Sequence, residues 1–149
     1  MSEEHRKYVA GFLFLRGRVL LVRKTHPKWQ AGMMNAVGGE IEGIESPRDA
    51  MVREFNEEAR LLTTDWFQFA SEHGPGYEVH FFRHALSNDS SYRPPRENDK
   101  GEELEWCDPN GVKYPVIGNL HWLLPLAEDP RPIHCMVETT GDIRKLVTW

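Results

Sequence analysis

The sequence predicts an α/β fold of the α+β kind, a mixed β-sheet with helices packed on it. Three observations carry this. Short runs rich in β-branched and aromatic residues recur along the chain, separated by Gly and Pro turn signals. Two segments switch to helical periodicity. The composition, 40% hydrophobic and 28% charged, is that of a folded soluble chain. At 149 residues the chain reads as one domain, 1–149, long enough to bury roughly 68–70% of its unfolded surface.

Residues 8–15 and 18–24 read as two strands of a hairpin joined at Arg16-Gly17. Pro27 and Gly32 mark 25–32 as a loop, and 33–37 as a short strand runs into Gly38-Gly39. Ser46 is a natural N-cap, with Pro47 at the first helical position and Asp49 in the first turn, where a negative charge suits the dipole. Met51, Val52, Phe55, Ala59 and Leu62 then fall on one stripe about 100° wide, so this helix is expected to reach Leu62. Strands at 66–72 and 77–86 follow, turned at 73–76. Segment 87–101 is polar, and a stretch of that length without pattern is either mobile or functional. A strand at 103–107, a helix at 119–127, and a closing hairpin of 133–138 with 143–148 complete the expected order.

Charge and cysteines exclude several classes. Lys and Arg number 18 against 23 Asp and Glu, a net charge of −5, which disfavours binding to a nucleic-acid polymer. No apolar run approaches a membrane span, and the first eight residues lack the apolar stretch of a signal peptide. Cys107 and Cys135 form no CxxC pair, so they read as buried thiols of a reducing cytoplasm, the expected location.

The informative feature is acidic. Glu54, Glu57 and Glu58 share one helix face about 100° wide beside the apolar stripe. Three carboxylates so spaced repel one another, and they lie toward the C-terminal end, where the dipole opposes them. Helix stability alone would not select this face. A hard divalent cation would, because oxygen-rich carboxylate clusters are what Mg²⁺, Mn²⁺ or Ca²⁺ require.

The surrounding spacing is specific. Gly39 is followed after five residues by Glu45, and after seven more by Arg53-Glu54-Phe55-Asn56-Glu57-Glu58. This resembles the Nudix box, G-x5-E-x7-R-E-U-x-E-E-x-G-U with U a bulky apolar residue, and a chance match is on the order of 10⁻⁴ or less. Arg60 stands where the family has glycine. Met33 to Gly39 (MMNAVGG) and Gly118 to Leu126 (GNLHWLLPL) are similar to segments of the MutT-type hydrolases of oxidised purine nucleoside triphosphates.

The resemblance implies a Nudix fold, with its mixed sheet sandwiched between helices. It implies Mg²⁺-dependent hydrolysis of a nucleoside diphosphate linked to another group, with Mn²⁺ as an alternative ion. The substrate it favours is a purine or 8-oxo-purine nucleoside triphosphate, cut to monophosphate and pyrophosphate. ADP-ribose, a dinucleoside polyphosphate, an RNA cap, or a non-catalytic nucleotide sensor are the alternatives. By family position Glu54, Glu57, Glu58 and the Gly38 carbonyl hold metal, and Glu45 and Arg53 form a salt bridge that positions the loop. Glu102 is the distal metal ligand, with Glu103 and Glu105 as competitors, unless all three are exposed strand-end charges. Arg23 and Lys24 either meet the phosphates or guard a sheet edge. Asn35 and Asn119 either read the base or serve as turn and cap residues. Trp29, Phe67 and Trp122 are stacking candidates or core. A monomer and a homodimer are equally compatible with the sequence.

Overall fold

A computed structural model describes residues 5–140. Strand β1 (Arg6–Leu15) turns into β2 (Arg18–Arg23) through Arg16 and Gly17, whose φ angles of 50° and 77° suit a tight hairpin turn with right-handed strand twist. After a single 3-10 turn at Lys28–Gln30, β3 (Met34–Glu40) leads to helix α1 (Pro47–Ala59). The hairpin β4 (Phe67–Gly74) and β5 (Tyr77–Ala85), the strand β6 (Leu104–Cys107), helix α2 (Leu120–Glu128) and β7 (Cys135–Glu138) follow.

The strands form a seven-stranded mixed sheet in the order β6-β2-β3-β1-β5-β4-β7, with β1–β5 and β4–β7 parallel and the other neighbours antiparallel. Strand periodicity divides the core in two. Ala10 and Phe12 of β1, with Met34, Ala36 and Phe81, pack under Leu120, Leu123, Leu124 and Ala127 of α2. Val9 and Leu13, with Leu20, Val37 and Phe82, pack under Met51, Phe55 and Ala59 of α1. The sheet is therefore sandwiched between the helices, as the sequence predicted. Among the described residues no helix is long and apolar enough to cross a membrane.

Ser46 caps α1 through its hydroxyl, which accepts the Asp49 N–H at 3.1 Å. The helix does not reach Leu62. It ends at Ala59, and Arg60 takes the left-handed conformation (φ 53°, ψ 42°), so an arginine adopts the exit geometry that glycine takes most easily. Leu62 is accordingly exposed rather than part of the buried stripe.

Two further expectations are revised. Gly38 and Gly39 lie inside β3 rather than beyond it, paired with Ala10 and Val9 of β1; a Cβ on Gly38 would meet the Val9 carbonyl oxygen at 2.0 Å. Cys107 is buried, whereas Cys135 is half-buried, on the inward side of β7 opposite exposed Met136 and Glu138. The expected strand 143–148 lies outside the described residues.

Segment 87–101 holds no named element, yet it is tied to the body. Tyr92 donates its hydroxyl to the Ala59 carbonyl at 2.6 Å and sets its ring edge-on to Trp106. That carbonyl is one of the last of α1, so the loop satisfies a helix end and is brought against the acidic face.

Candidate active site

Arg53 organises the acidic face. Its Nε and Nη2 donate to the two carboxylate oxygens of Glu45 at 2.8 and 2.9 Å, the bidentate geometry that suits a guanidinium. Its Nη1 donates to Glu54 at 2.9 Å and to Glu57 at 3.3 Å, and Nη2 also reaches the Glu40 carbonyl at 3.0 Å. One side chain thus joins β3, the following loop and α1. The Arg53 hydrogen bonds hold the Glu45 carboxyl below its ordinary range, and Glu45 in return raises the arginine further.

Glu54 is buried and has the opposite tendency. Desolvation pushes its carboxyl up, with repulsion from Glu58 and Glu57 adding to this, and Arg53 offsets only part of the rise. Its carboxylate lies against the bare backbone of β3, where a Cβ on Gly39 would be 2.4 Å from Oε1. Glu58 is buried and accepts from Lys100 Nζ at 3.1 Å, while Glu57 is exposed. The three carboxylates therefore share one face, but Glu54 and Glu57 are held by Arg53 and Glu58 by Lys100. Among the described residues no three His, Cys, Asp or Glu side chains converge on one point suited to a metal ion.

Glu102 is fully buried, with 0% exposure, and is already surrounded. It accepts from the Thr25 N–H at 2.8 Å, Asn98 Nδ2 at 3.1 Å and Lys24 Nζ at 3.3 Å. Burial raises its carboxyl, but these donors together hold it below the ordinary range. The structure makes Glu102 the hub that fastens segment 87–101 to the end of β2. Glu103 and Glu105 are exposed.

A cleft of about 1050 Å³ reaches the acidic face through Gly39, which lies against Glu54, and Lys100, which is bonded to Glu58; Glu54, Glu57, Glu58 and Glu102 themselves are not among its lining residues. Gly38, Gly39, Lys24 and Lys100 line one part, and Asn35, Trp29, Phe81 and Glu72 line another. Arg23 is not among the lining residues; its guanidinium lies 4.3 Å above the Tyr114 ring, since neighbours in a strand point to opposite faces. Asn35 Oδ1 accepts the N–H of Ala36, and its Nδ2 donates to Gln30. Asn119 is the N-cap residue of α2 but makes no side-chain capping bond. Its amide instead favours the charged form of Glu72, and its buried Oδ1 has no partner. Phe81 meets Trp122 edge-on at 6.2 Å, so Trp122 is partly buried in the α2 core, while Phe67 lies on the outer surface beneath Arg83.

Three residues of the site escaped the sequence reading. Glu72 is only 2% exposed, accepts from the Tyr77 hydroxyl at 3.0 Å, and has its carboxyl pushed up by burial. Its signal was present: two residues after Ala70 on one strand, it falls on the same inward face. Asn98 and Lys100 belong to the polar segment 87–101, where only the length of the patternless stretch hinted at a role.

The chain resembles known proteins in sequence and in fold. A family model described as the NUDIX domain matches residues 4–126. The CTP pyrophosphohydrolase of Escherichia coli (strain K12) is 30% identical over 111 residues, covering 72% of this chain and 80% of that protein. The crystal structure of the MutT protein from Bacillus halodurans superimposes with a TM-score of 0.73 at 18% identity, covering 93% of this chain and 92% of the other. The NUDIX domain of Shewanella oneidensis NrtR, crystallised with ADP ribose, gives 0.67 at 17% identity, covering 85% and 87%. The matched family model takes in the Gly39–Glu58 motif together with most of the sheet, and on that ground the chain belongs to the Nudix family, as a hydrolase of nucleotide phosphoanhydride bonds.

Proposed function

We propose that the chain is a Mg²⁺-dependent purine nucleoside triphosphate pyrophosphohydrolase of MutT type, accepting 8-oxo-purine forms and releasing monophosphate and pyrophosphate. The observation that supports this reading is one cleft, beside the acidic face of α1, whose lining joins two lysines and bare glycine backbone to amide, carboxylate and aromatic side chains. The residues fit a hard divalent ion. The Gly38 carbonyl, Glu54, Glu57 and Glu58 offer oxygen donors only, and the missing Cβ of Gly39 leaves the Glu54 carboxylate against the backbone. When bound, such ions neutralise polyphosphate charge, polarise a phosphoryl oxygen and make water a better nucleophile.

The chain's own residues supply the rest. Arg53, locked on Glu45, fixes the loop after β3 and the rotamers of Glu54 and Glu57. Glu54, or a neighbouring carboxylate, accepts the proton of the attacking water. Lys24, set by Glu102, adds positive charge to the phosphate part of the cleft. Asn35, which lines the cleft, and Asn119, at the start of α2, read the base.

The test is incubation with Mg²⁺ and a panel of canonical nucleoside triphosphates, 8-oxo-purine nucleotides, ADP-ribose and dinucleoside polyphosphates, with products resolved by chromatography. Monophosphate plus pyrophosphate, formed fastest from purines, is the expected result. A CTP preference would overturn the base assignment, ADP-ribose cleavage alone would overturn the substrate class, and tight binding without turnover would make the protein a sensor.

A further inference from the structure

Lys100 is the residue of the acidic face that neither the family pattern nor the polyphosphate chemistry above accounts for. Its Nζ lies 3.1 Å from Glu58 Oε1, and Glu54 and Glu102 add to the negative field around it. The backbone beneath it is firmly built. Buried Asn98 accepts the N–H of Lys100 and of Glu102 on its Oδ1, both at 3.0 Å, and donates Nδ2 to Glu102. Gly101 permits the tight turn with φ +75°. Lys24, the other lysine of this part of the cleft, is different. Its side chain is 14% exposed and held on fully buried Glu102, whereas the Lys100 side chain is 47% exposed. Lys100 has a fixed root and a half-exposed head.

We propose that Lys100 is an exchangeable cation of the active site: it balances Glu58 until a divalent ion takes that carboxylate, and its ammonium then turns to the phosphates of the bound nucleotide. This rests on the reading of Glu54, Glu57 and Glu58 as metal-holding residues. Three considerations support the exchange. A buried carboxylate needs a partner, and Lys100 supplies one to Glu58 from a different element. A monovalent ammonium at that carboxylate repels an arriving divalent ion, so the two compete. Once displaced, the ammonium remains in the cleft that Gly38, Gly39 and Lys24 also line, and a lysine is a flexible point charge able to follow phosphate.

The experiment is Mn²⁺ titration of the purified protein, free Mn²⁺ being read by electron paramagnetic resonance, for wild type, Lys100→Met, Lys100→Arg and Glu57→Gln. Without nucleotide, Lys100→Met is expected to bind Mn²⁺ about tenfold tighter than wild type, and Lys100→Arg about as wild type. With Mn²⁺ saturating and a non-hydrolysable triphosphate analogue as ligand, the order reverses, Lys100→Met binding the analogue about tenfold more weakly. Without metal, Lys100→Met should melt lower than wild type, because buried Glu58 loses its partner, and saturating Mn²⁺ should close the gap, since the Asn98 turn uses only the backbone of Lys100. Equal Mn²⁺ affinity in wild type and Lys100→Met, with Glu57→Gln weakened, would overturn the exchange and leave the metal reading standing. Absence of Mn²⁺ binding in all four proteins, or binding indifferent to Glu57→Gln, would overturn both.

Discussion

A β-carbon on Gly39 would lie 2.4 Å from the carboxyl carbon of Glu54, a separation no real Cβ contact tolerates. Strand β3 and the acidic face of α1 are pressed together there, and the glycine is required for space rather than for a left-handed backbone. Gly39→Ala is therefore expected to push Glu54 aside. Displacements near 1 Å in a catalytic array lower rates about 10²-fold, while the fold itself should lose little, because the atoms displaced are the far end of a flexible side chain. The check is kcat at saturating Mg²⁺ beside a thermal melt. A folded variant with a normal rate would separate Glu54 from the chemistry.

Arg53 holds four partners on three chain segments, and only a fork of donors can do so. Arg53→Lys should keep one contact and lose the rest, lowering kcat more than it raises KM. It should also change the acid limb of stability. Because Arg53 depresses the Glu45 carboxyl, that pair stabilises the fold above the ordinary carboxylate pKa and is lost as pH falls through the lowered one. Wild type and Arg53→Lys should accordingly differ most in Tm at neutral pH and converge in acid. A constant gap across that range would remove Glu45 as the partner responsible.

Glu57 is the exposed member of the trio, so it carries little of the fold. Glu57→Gln is expected to melt within about 0.5 kcal/mol of wild type, as surface substitutions do, yet to lose most of its turnover. Rates and melting curves measured on the same preparation decide this, and retention of near-normal turnover at saturating Mg²⁺ would count against the metal-holding role.

The legibility of this protein follows the range of its interactions. The hairpin at Arg16-Gly17, the Ser46 cap and the α1 stripe through Ala59 are local, and propensity and periodicity show them directly. The Glu45–Arg53 pair was visible through the spacing of the family motif. What could not be read were contacts between distant segments: Lys100 with Glu58 across 42 positions, and Lys24 with Glu102 across 78. Such pairs are set by the order of strands β6-β2-β3 and by the path of a loop with no periodic signal. Asn119 illustrates a subtler gap. Its position at the N-cap was legible, but that its amide would face Glu72 rather than its own helix depended on β4 passing beside α2.

Arg60 offers a test of how local rules were overridden. A β-carbon in the left-handed region costs roughly 1–2 kcal/mol, and no glycine is present to avoid it. The Tyr92 hydroxyl bound to the Ala59 carbonyl one residue earlier fixes the exit in place. Arg60→Gly should relieve the strain, less the entropy that glycine loses on folding, for a net gain of about 0.5–1 kcal/mol. For a chain of this size that is a rise in Tm of roughly 1–4 °C, measurable by calorimetry. A fall in Tm would mean that the arginine side chain itself contributes more than the strain removes.

Glu72 gives a pH dependence of the opposite sign from Glu45. Burial raises its carboxyl, with the hydrogen bonds from Tyr77 and Asn119 offsetting part of the effect. A carboxyl raised in the folded state stabilises the fold fully below its unfolded pKa, and that contribution is lost as pH climbs through the folded value. Above that folded value the folded chain carries an ionised group that is 2% exposed, and Glu72→Gln removes the charge while keeping an oxygen for the Tyr77 hydroxyl. The variant should melt roughly 2–4 °C higher than wild type at pH 8, about 1 kcal/mol, and no higher near pH 4. Glu54 shares the raised direction but is present in both proteins, so the difference curve reports Glu72. A Glu72→Gln variant less stable than wild type at pH 8 would show that its hydrogen bonds outweigh the burial of its charge.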